Sequence, residues 1–272
     1  MTLNQMYLNL SGVHVYCEYY LSDRKPPLVL IHGFASSMYT FSSLIPRLRE
    51  HFSIIAIDLP GFGRSEKSVS FVYSFENYAR VVMDCITFFH LNEVYVAGHS
   101  MGGQIALYAA RKYPEKIKKL VLLSSSGYLR SANKVQKLCT YLPYFRYVVK
   151  KRVHRKNVKE YLENVFYDPS LITDDHVKEY AIPLKDDRFY ISLLRLLRYR
   201  EGDLPSKELQ QITIPTLLLW GEEDKVVPVH TGYQLVRDLP NAKLITYEKT
   251  GHLITEERSD EVYEQILTHT LI

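Results

Sequence analysis

Ser100 stands in the segment GHSMGG, residues 98–103, whose residue types suit an activated serine nucleophile. The apolar run before it, residues 94–97, favours a strand, and residues 104–110 after it favour a helix. A serine on a sharp strand-to-helix turn projects its hydroxyl clear of the sheet, and flanking glycines leave room for the strained backbone. We predict that Ser100 is a nucleophile; the alternative is a serine that only caps the helix.

A serine hydroxyl is a poor nucleophile at neutral pH, so it needs a general base and a carboxylate that orients the base. His252 is the best placed of the ten histidines, because it follows a strand predicted at residues 242–247 and precedes the last helix. His99 is expected to point away from the turn, and His32 to buttress its own loop. The other histidines have no partner in view: His14, His51, His90, His154, His176, His230 and His269.

The carboxylate is expected in the loop after the strand predicted at residues 216–220. That loop holds Glu222, Glu223 and Asp224. Asp224 lies furthest around the turn and is the predicted partner of the histidine, whereas both glutamates are expected to stay solvated. The preceding strand is followed by three serines, residues 124–126, so no acid can serve from there.

Acyl transfer also needs hydrogen-bond donors for the charge that develops on the carbonyl oxygen. The backbone N–H of Met101, the residue after the nucleophile, is one predicted donor. The backbone N–H of Phe34 is the second, in a loop after the strand predicted at residues 28–31, where Gly33 lets the chain turn toward the site. This chemistry requires neither a metal ion nor an organic cofactor.

Apolar runs alternate with helical patterns, which predicts an α/β fold with a doubly wound, mostly parallel sheet. Strands are predicted at residues 28–31, 54–57, 94–97, 120–123, 216–220 and 242–247, after an antiparallel hairpin at 7–10 and 13–19. Helices are predicted at residues 39–50, 74–89, 101–112, 230–239 and 256–271. Residues 127–206 hold no convincing strand, so we predict a helical cap inserted between core segments 1–126 and 207–272.

Composition narrows the class of protein. The 272 residues are 46% hydrophobic and 24% charged, as in globular proteins. The chain shows neither an apolar run of ~20 residues nor a secretory signal pattern, so we expect a cytoplasmic protein. Cys17, Cys85 and Cys139 are widely spaced, which predicts neither a disulfide framework nor a zinc site. The sequence does not indicate an oligomeric state.

Positive charge is concentrated within the predicted cap. Residues 130–160 hold ten Lys or Arg and one acid, a net charge of +9 against −5 for the rest of the chain. Apolar residues alternate with these charges: Leu138, Tyr141, Leu142, Tyr144, Phe145, Tyr147, Val148 and Val149. One hypothesis is an apolar roof over an acyl chain, with a basic outer face that contacts anionic lipid or acidic substrates. The favoured alternative is a solvated basic face, and without a recognisable module nucleic-acid binding is not expected.

Five segments, in order along the chain, resemble the α/β-hydrolase superfamily. They are HGF at 32–34, DLPGFGRS at 58–65, GHSMGG at 98–103, GEEDKVVP at 221–228 and GH at 251–252. The resemblance implies the fold of that superfamily, a Ser-Asp-His triad, and the cap as its most variable part. It also implies that residues 58–65 form a structural turn, with Asp58 and Arg64 paired to neighbours.

The resemblance also narrows the reaction. Haloalkane dehalogenases and epoxide hydrolases of this superfamily carry Asp at the position of Ser100. The loop HGFASS, residues 32–37, matches neither the HGxGPG type of carbon–carbon bond hydrolases nor the HGGG type of another esterase branch. The sequence therefore predicts an enzyme that hydrolyses small to medium carboxylic esters with an apolar acyl part. The alternatives are a lactonase, a thioesterase, or a binding or signalling protein without turnover.

Overall fold

An eight-stranded sheet forms the centre of the protein in the computed structural model, which describes residues 3–153 and 157–271. The strands are β1 (Asn4–Leu10), β2 (Val13–Tyr20), β3 (Pro27–Ile31), β4 (Ser53–Ile57), β5 (Val94–His99), β6 (Ile117–Leu123), β7 (Thr216–Gly221) and β8 (Ala242–Tyr247). Their spatial order is β1-β2-β4-β3-β5-β6-β7-β8. Only β2 pairs antiparallel, with β1 and β4; the other neighbours are parallel. The predicted hairpin and doubly wound sheet are confirmed.

The helices of the described residues connect these strands. They are α1 (Ile45–Leu48), α2 (Phe75–Phe88), α3 (Met101–Lys112), α4 (Lys134–Cys139), α5 (Phe145–Val153), α6 (Val158–Val165), α7 (Asp174–Ala181), α8 (Asp187–Tyr199), α9 (Ser206–Leu209), α10 (His230–Asp238), α11 (Ile254–Glu257) and α12 (Ser259–Leu271). Short 3₁₀ turns occur at Met38–Phe41, Pro114–Lys116, Pro169–Leu171 and Pro183–Lys185. None of these described helices combines the length and the apolar character that crossing a membrane requires.

Alternate residues of the central strands enter two different cores. On β3, Val29 and Ile31 pack with residues of α2 and α3, whereas Leu28 and Leu30 pack with residues of α12 on the opposite face. All four side chains are fully buried. Because side chains alternate along a strand, a sheet covered by helices on both faces needs a continuous apolar run. Because β3, β5, β6, β7 and β8 are parallel, their carboxyl ends meet at one edge of the sheet.

Two predicted helices are interrupted. The helix predicted at 39–50 is a 3₁₀ turn followed by α1, because Pro46 has no N–H and fits only in the first turn of a helix. The helix predicted at 256–271 is split at Arg258, whose φ of −134° is not helical. The Arg258 guanidinium group donates to Thr250 Oγ1 and to the carbonyl of Glu248.

The described residues between β6 and β7 form helices and no strand, as the sequence indicates, and α8 is one of the helices that pack against the body. Phe189 of α8 packs on Phe62 with ring centroids 6.1 Å apart. Ser192 Oγ and Tyr73 Oη are 3.0 Å apart, within hydrogen-bond distance. His154, Arg155 and Lys156, which belong to the basic segment, lie outside the described residues.

The hypothesis of an apolar roof over an acyl chain does not fit most of the side chains that it named. Six of the eight side chains are exposed: Leu138, Tyr141, Leu142, Tyr144, Tyr147 and Val148. Phe145 and Val149 are half-buried. The physical reason is that α8 occupies the position next to the body, so α4 and α5 pack on α8 rather than on the sheet.

Candidate active site

Ser100 lies at the junction between β5 and α3, in a backbone conformation that few residues adopt. Its φ is 54° and its ψ is −120°. Its side chain makes no capping hydrogen bond to α3, so the capping alternative is wrong. A strained serine that is not used as a cap has its hydroxyl free for another role.

The strained turn is held between neighbouring strands. A Cβ on Gly102 would overlap the backbone oxygens of Ile31 and His32, so no larger residue fits there. The Ser100 N–H donates to the carbonyl of Leu123 at 2.9 Å, and its own carbonyl accepts from the N–H of Ser126 at 3.0 Å. The turn therefore lies against the ends of β3 and β6.

Asp224 and His252 form a buried pair at the ends of β7 and β8. His252 Nδ1 donates to Asp224 Oδ2 at 2.7 Å, and both side chains are almost fully buried. The other carboxylate oxygen of Asp224 accepts from the N–H groups of Val226 and Val227, each at 2.8 Å. Because Nδ1 carries the shared proton, Nε2 of a neutral His252 is the basic nitrogen.

The loop that carries His252 is held by hydrogen-bond partners that the sequence does not indicate. Glu223, which was expected to be solvated, accepts from the Thr250 N–H at 2.9 Å; Glu222 is exposed as predicted. Glu257 accepts from the Gly251 N–H at 2.8 Å. The His252 N–H donates to the carbonyl of Val165, at the end of α6, at 2.8 Å. A residue of the cap thus helps to fix the candidate base.

His99 also supports this loop, in a role that the sequence does not indicate. Its ring lies against the His252 ring with centroids 4.8 Å apart, and its Nε2 is 2.9 Å from the His252 carbonyl oxygen. Only a protonated Nε2 can donate to that carbonyl, which leaves Nδ1 of the neutral ring without a hydrogen-bond partner among the described residues. Burial lowers the pKa of His99 to about 3, so this ring is neutral at physiological pH.

The loop proposed to contain the second oxyanion donor runs directly beside the serine. A Cβ on Gly33 would come within 2.9 Å of Ser100 Cβ. His32 buttresses this loop as expected, since its Nδ1 is 2.7 Å from the Gly33 carbonyl and its Nε2 accepts from the Leu59 N–H at 2.9 Å. Burial lowers the pKa of His32 to about 4, which keeps its Nε2 free to accept.

Asp58 joins the turn at residues 58–65 to the same loop region. Its two oxygens accept from the N–H groups of Met38 and Arg64, at 2.8 and 2.7 Å. Burial raises the pKa of Asp58 above its ordinary value. The side chain is fully buried and its oxygens face backbone donors, which is the structural pairing that the resemblance implied.

The Ser100 hydroxyl and the His252 ring are not hydrogen-bonded to each other in this structure, and the described residues form no metal-type cluster. Within the described ranges, no hydrogen bond joins the Ser100 hydroxyl to the His252 ring; catalytic hydrogen bonds are often long without substrate. In the same part of the chain, no three His, Cys, Asp or Glu side chains are grouped as a metal site requires. The arrangement therefore offers a serine, a histidine–aspartate pair and backbone donors.

Comparisons with known proteins agree with this architecture. The alpha/beta hydrolase fold family matches residues 26–259. The chain is 42% identical over 257 residues to the uncharacterized hydrolase YugF of Bacillus subtilis (strain 168), covering 94% of both chains. It is 27% identical over 237 residues to Lipase 1 of Psychrobacter immobilis, covering 86% of this chain and 74% of the lipase.

A solved structure shares the whole fold. The 2-hydroxy-6-oxo-6-phenylhexa-2,4-dienoate hydrolase of Rhodococcus sp. strain RHA1 superposes with a TM-score of 0.82 over 100% of both chains. Its sequence identity is 22%, so this likeness concerns the fold alone. With a family match over residues 26–259 and a relative at 42% identity, this chain belongs to the alpha/beta hydrolase family.

Proposed function

We propose that this hydrolase cleaves carboxylic esters through an acyl-enzyme, with Ser100 as nucleophile, His252 as general base and Asp224 as its orienting carboxylate. The observation that carries the proposal is the buried His252–Asp224 hydrogen bond of 2.7 Å, beside a serine held at φ 54°. The similarity to Lipase 1 supports an ester as substrate. Small to medium esters with an apolar acyl part are the proposed class.

The reaction has two halves. Ser100 Oγ attacks the ester carbonyl while its proton passes to His252 Nε2, and the Asp224 carboxylate stabilises the resulting imidazolium. The tetrahedral intermediate collapses, the C–O bond to the alcohol breaks, and His252 returns the proton to the leaving alcohol. Water then attacks the acyl-enzyme by the same route and releases the acid.

The N–H groups of Met101 and Phe34 are proposed to bind the negative oxygen of the intermediate. Met101 is the first residue of α3, where an N–H has no partner within the helix and the helix dipole favours negative charge. Phe34 follows Gly33, where an added Cβ would come within 2.9 Å of Ser100 Cβ. Each such donor contributes about 3 kcal/mol to lowering the barrier in other hydrolases.

Ser100→Ala tests the assignment. We expect this variant to lose measurable turnover of p-nitrophenyl butyrate and labelling by a fluorophosphonate, while its circular dichroism is unchanged. Ser170→Ala, at an exposed serine of the cap, is the matched control and should keep both. Turnover by the Ser100→Ala variant at the wild-type rate would exclude Ser100 as the nucleophile.

The other candidate reactions use the same residues and differ in substrate. A panel of linear esters, lactones, acyl thioesters and a carbon–carbon cleavage substrate separates them by kcat/KM. We expect the linear esters to be hydrolysed fastest. Stoichiometric fluorophosphonate labelling without sustained turnover on the whole panel would instead favour a ligand-binding protein.

A further inference from the structure

Helices α4 and α5 and the turn between them expose a set of large apolar side chains. Leu138 is 68% exposed and Tyr144 is 76% exposed. At least half of the surface is also exposed for Tyr141, Leu142, Tyr147 and Val148. We call the exposed side of residues 134–152 the α4–α5 face. Among the described residues, no other element covers it, and exposed apolar groups of this density are a feature of interaction surfaces.

Helical spacing places the exposed apolar side chains at and within α5 on one side of that helix. Tyr144, Tyr147, Val148 and Lys151 follow positions i, i+3, i+4 and i+7, so they share a face that leads into and along α5. Val149, at a position between them, turns inward and packs against the core. The exposure is therefore a property of one helix face and not of a loosely packed segment.

The same face is strongly basic. Lys134, Lys151 and Arg152 are exposed, and within the described ranges none of them has an acidic partner at ion-pair distance. Lys150, by contrast, pairs with Asp187 at 2.5 Å. Apolar and unpaired basic groups thus lie together on this surface.

A depression of about 340 Å³ opens where the α4–α5 turn meets α8. Arg146, Arg195 and Arg198 line it together with the apolar side chains of Leu142 and Leu194. Arg195 and Arg198 already donate to the Phe71 carbonyl and to Thr140, so they supply positive charge to the depression and retain part of their N–H groups. Positive charge attracts phosphate oxygens, and aliphatic side chains accommodate the adjoining carbon chains. The depression therefore has the charge and polarity that suit a phospholipid headgroup.

We propose that the α4–α5 face docks on the surface of an anionic phospholipid bilayer. Its aromatic and aliphatic side chains would enter the boundary between headgroups and acyl chains, and its lysines and arginines would pair with phosphate groups. A symmetric dimer through this face would place two surfaces of like charge against each other, since residues 130–160 carry a net charge of +9. This docking is independent of the ester chemistry and can be measured without turnover.

Co-sedimentation of the full-length protein with vesicles tests the proposal. We expect binding to vesicles that contain phosphatidylglycerol, little binding to pure phosphatidylcholine vesicles, and release at high salt, because the charge attraction is screened. Equal binding to both vesicle types, or no binding to either, overturns the proposal.

Two sets of variants separate the two contributions. Lys134→Gln, Lys151→Gln and Arg152→Gln combined should weaken partitioning at least 50-fold, since each basic residue near the surface contributes roughly a factor of five. Leu138→Ser with Tyr144→Ser should also lower partitioning several-fold, because apolar area no longer enters the bilayer. All five residues are exposed, so the fold should be retained, as circular dichroism will show.

Matched controls carry the same changes on another surface. Lys207→Gln, Arg237→Gln and Lys243→Gln combined, and separately Tyr7→Ser, alter exposed residues of the body. They should bind vesicles within twofold of the wild type. If body variants lose binding as much as the α4–α5 variants, binding reflects overall charge and the proposal fails. A concentration-dependent dimer that only the Leu138→Ser, Tyr144→Ser variant abolishes, without vesicle binding, also overturns it.

Discussion

Asp224 occupies a position in which every side-chain oxygen has a donor. One oxygen accepts from His252, and the other accepts from two backbone N–H groups. An Asn at this position has an NH₂ group in place of one carboxylate oxygen. If this group faces the backbone N–H groups, two sets of donors oppose each other. If it faces the ring, His252 Nδ1 must accept a hydrogen bond, so the tautomer of His252 changes. We expect Asp224→Asn to lower kcat for ester hydrolysis by about 10⁴-fold, as in other triads.

Steady-state kinetics on p-nitrophenyl butyrate measures this effect. Glu222→Gln, in the same loop but with an exposed side chain, should change kcat less than twofold. A kcat for Asp224→Asn within tenfold of the wild type would contradict the proposed role.

The buried histidines make stability depend on pH. The pKa of His99 is about 3 in the folded protein, against about 6.5 when unfolded, so the unfolded chain takes up a proton that the folded chain refuses. Stability is therefore full above pH ~6.5 and falls as the pH drops from there toward 3, by about 1.4 kcal/mol per pH unit for this residue.

His99→Gln should reduce this slope by about 1.4 kcal/mol per pH unit, because Gln Nε2 can still donate to the His252 carbonyl but does not titrate. His32, whose pKa burial also lowers, keeps its own contribution. Urea unfolding at pH 7, 6 and 5 gives the slope of stability against pH. His230→Gln, at an exposed histidine, should keep the wild-type slope. An unchanged slope in His99→Gln would show that this ring is not the source.

The residues at the centre of the site could be predicted from sequence, whereas their supporting residues could not. Ser100, Asp224 and His252 have the residue types for the chemistry, and each follows a recognisable strand. Glu257 and His99 act through hydrogen bonds to backbone groups brought close by loop packing. A backbone partner leaves no residue-type signal in the sequence, so such roles emerge only from the folded structure.

At the scale of secondary-structure elements, Glu257 of α11 joins the cap to the loop of the candidate base. One of its oxygens accepts from the Gly251 N–H, and the other accepts from the N–H groups of Tyr167 and Asp168, just after α6. Desolvation raises the pKa of Glu257. In Glu257→Gln one accepting oxygen becomes a donating NH₂ group, so the hydrogen bonds on one side of the bridge are lost. We expect both the segment after α6 and the loop that carries His252 to become more mobile.

Hydrogen exchange followed by mass spectrometry should show faster exchange of the amides at residues 166–168 and 251–252 in Glu257→Gln, with a lower kcat. Glu248→Gln, at a nearby exposed glutamate, should leave both unchanged. Faster exchange across the whole protein would indicate general destabilisation instead of a lost bridge.

The secondary-structure elements, like the site residues, could be predicted only in part from the sequence. The central strands were predictable because a sheet buried on both faces requires uninterrupted apolar runs, as on β3 and β4. The cap helices were predictable in kind, but the sequence left open whether the apolar side chains of α5 face the protein or the solvent. Amphipathic spacing defines a face without saying whether protein or solvent lies against it. That depends on α8, which takes the inner position through Phe189 and Leu196.

At the scale of the whole molecule, one buried cluster extends from the sheet into the cap. It includes Val96 of β5 and Trp220 of β7 together with Phe189, Tyr190 and Leu196 of α8. Trp220 is the only tryptophan, is fully buried, and donates its indole N–H to the Val227 carbonyl at 2.9 Å. Its fluorescence therefore reports on the core beside the Asp224 loop.

A core shared by cap and body should make the protein unfold in one transition. We expect Trp220 fluorescence and far-ultraviolet circular dichroism to give the same urea midpoint, because coincident probes are the signature of two-state unfolding. Phe189→Leu, which removes aromatic contact between α8 and Phe62, should lower both midpoints together at a cost on the order of 1 kcal/mol. Leu129→Ala, at an exposed residue of the same cap, should shift neither midpoint. Separate midpoints, with only the dichroism transition sensitive to Phe189→Leu, would mean that the cap unfolds alone and that the continuous cluster does not couple it to the sheet.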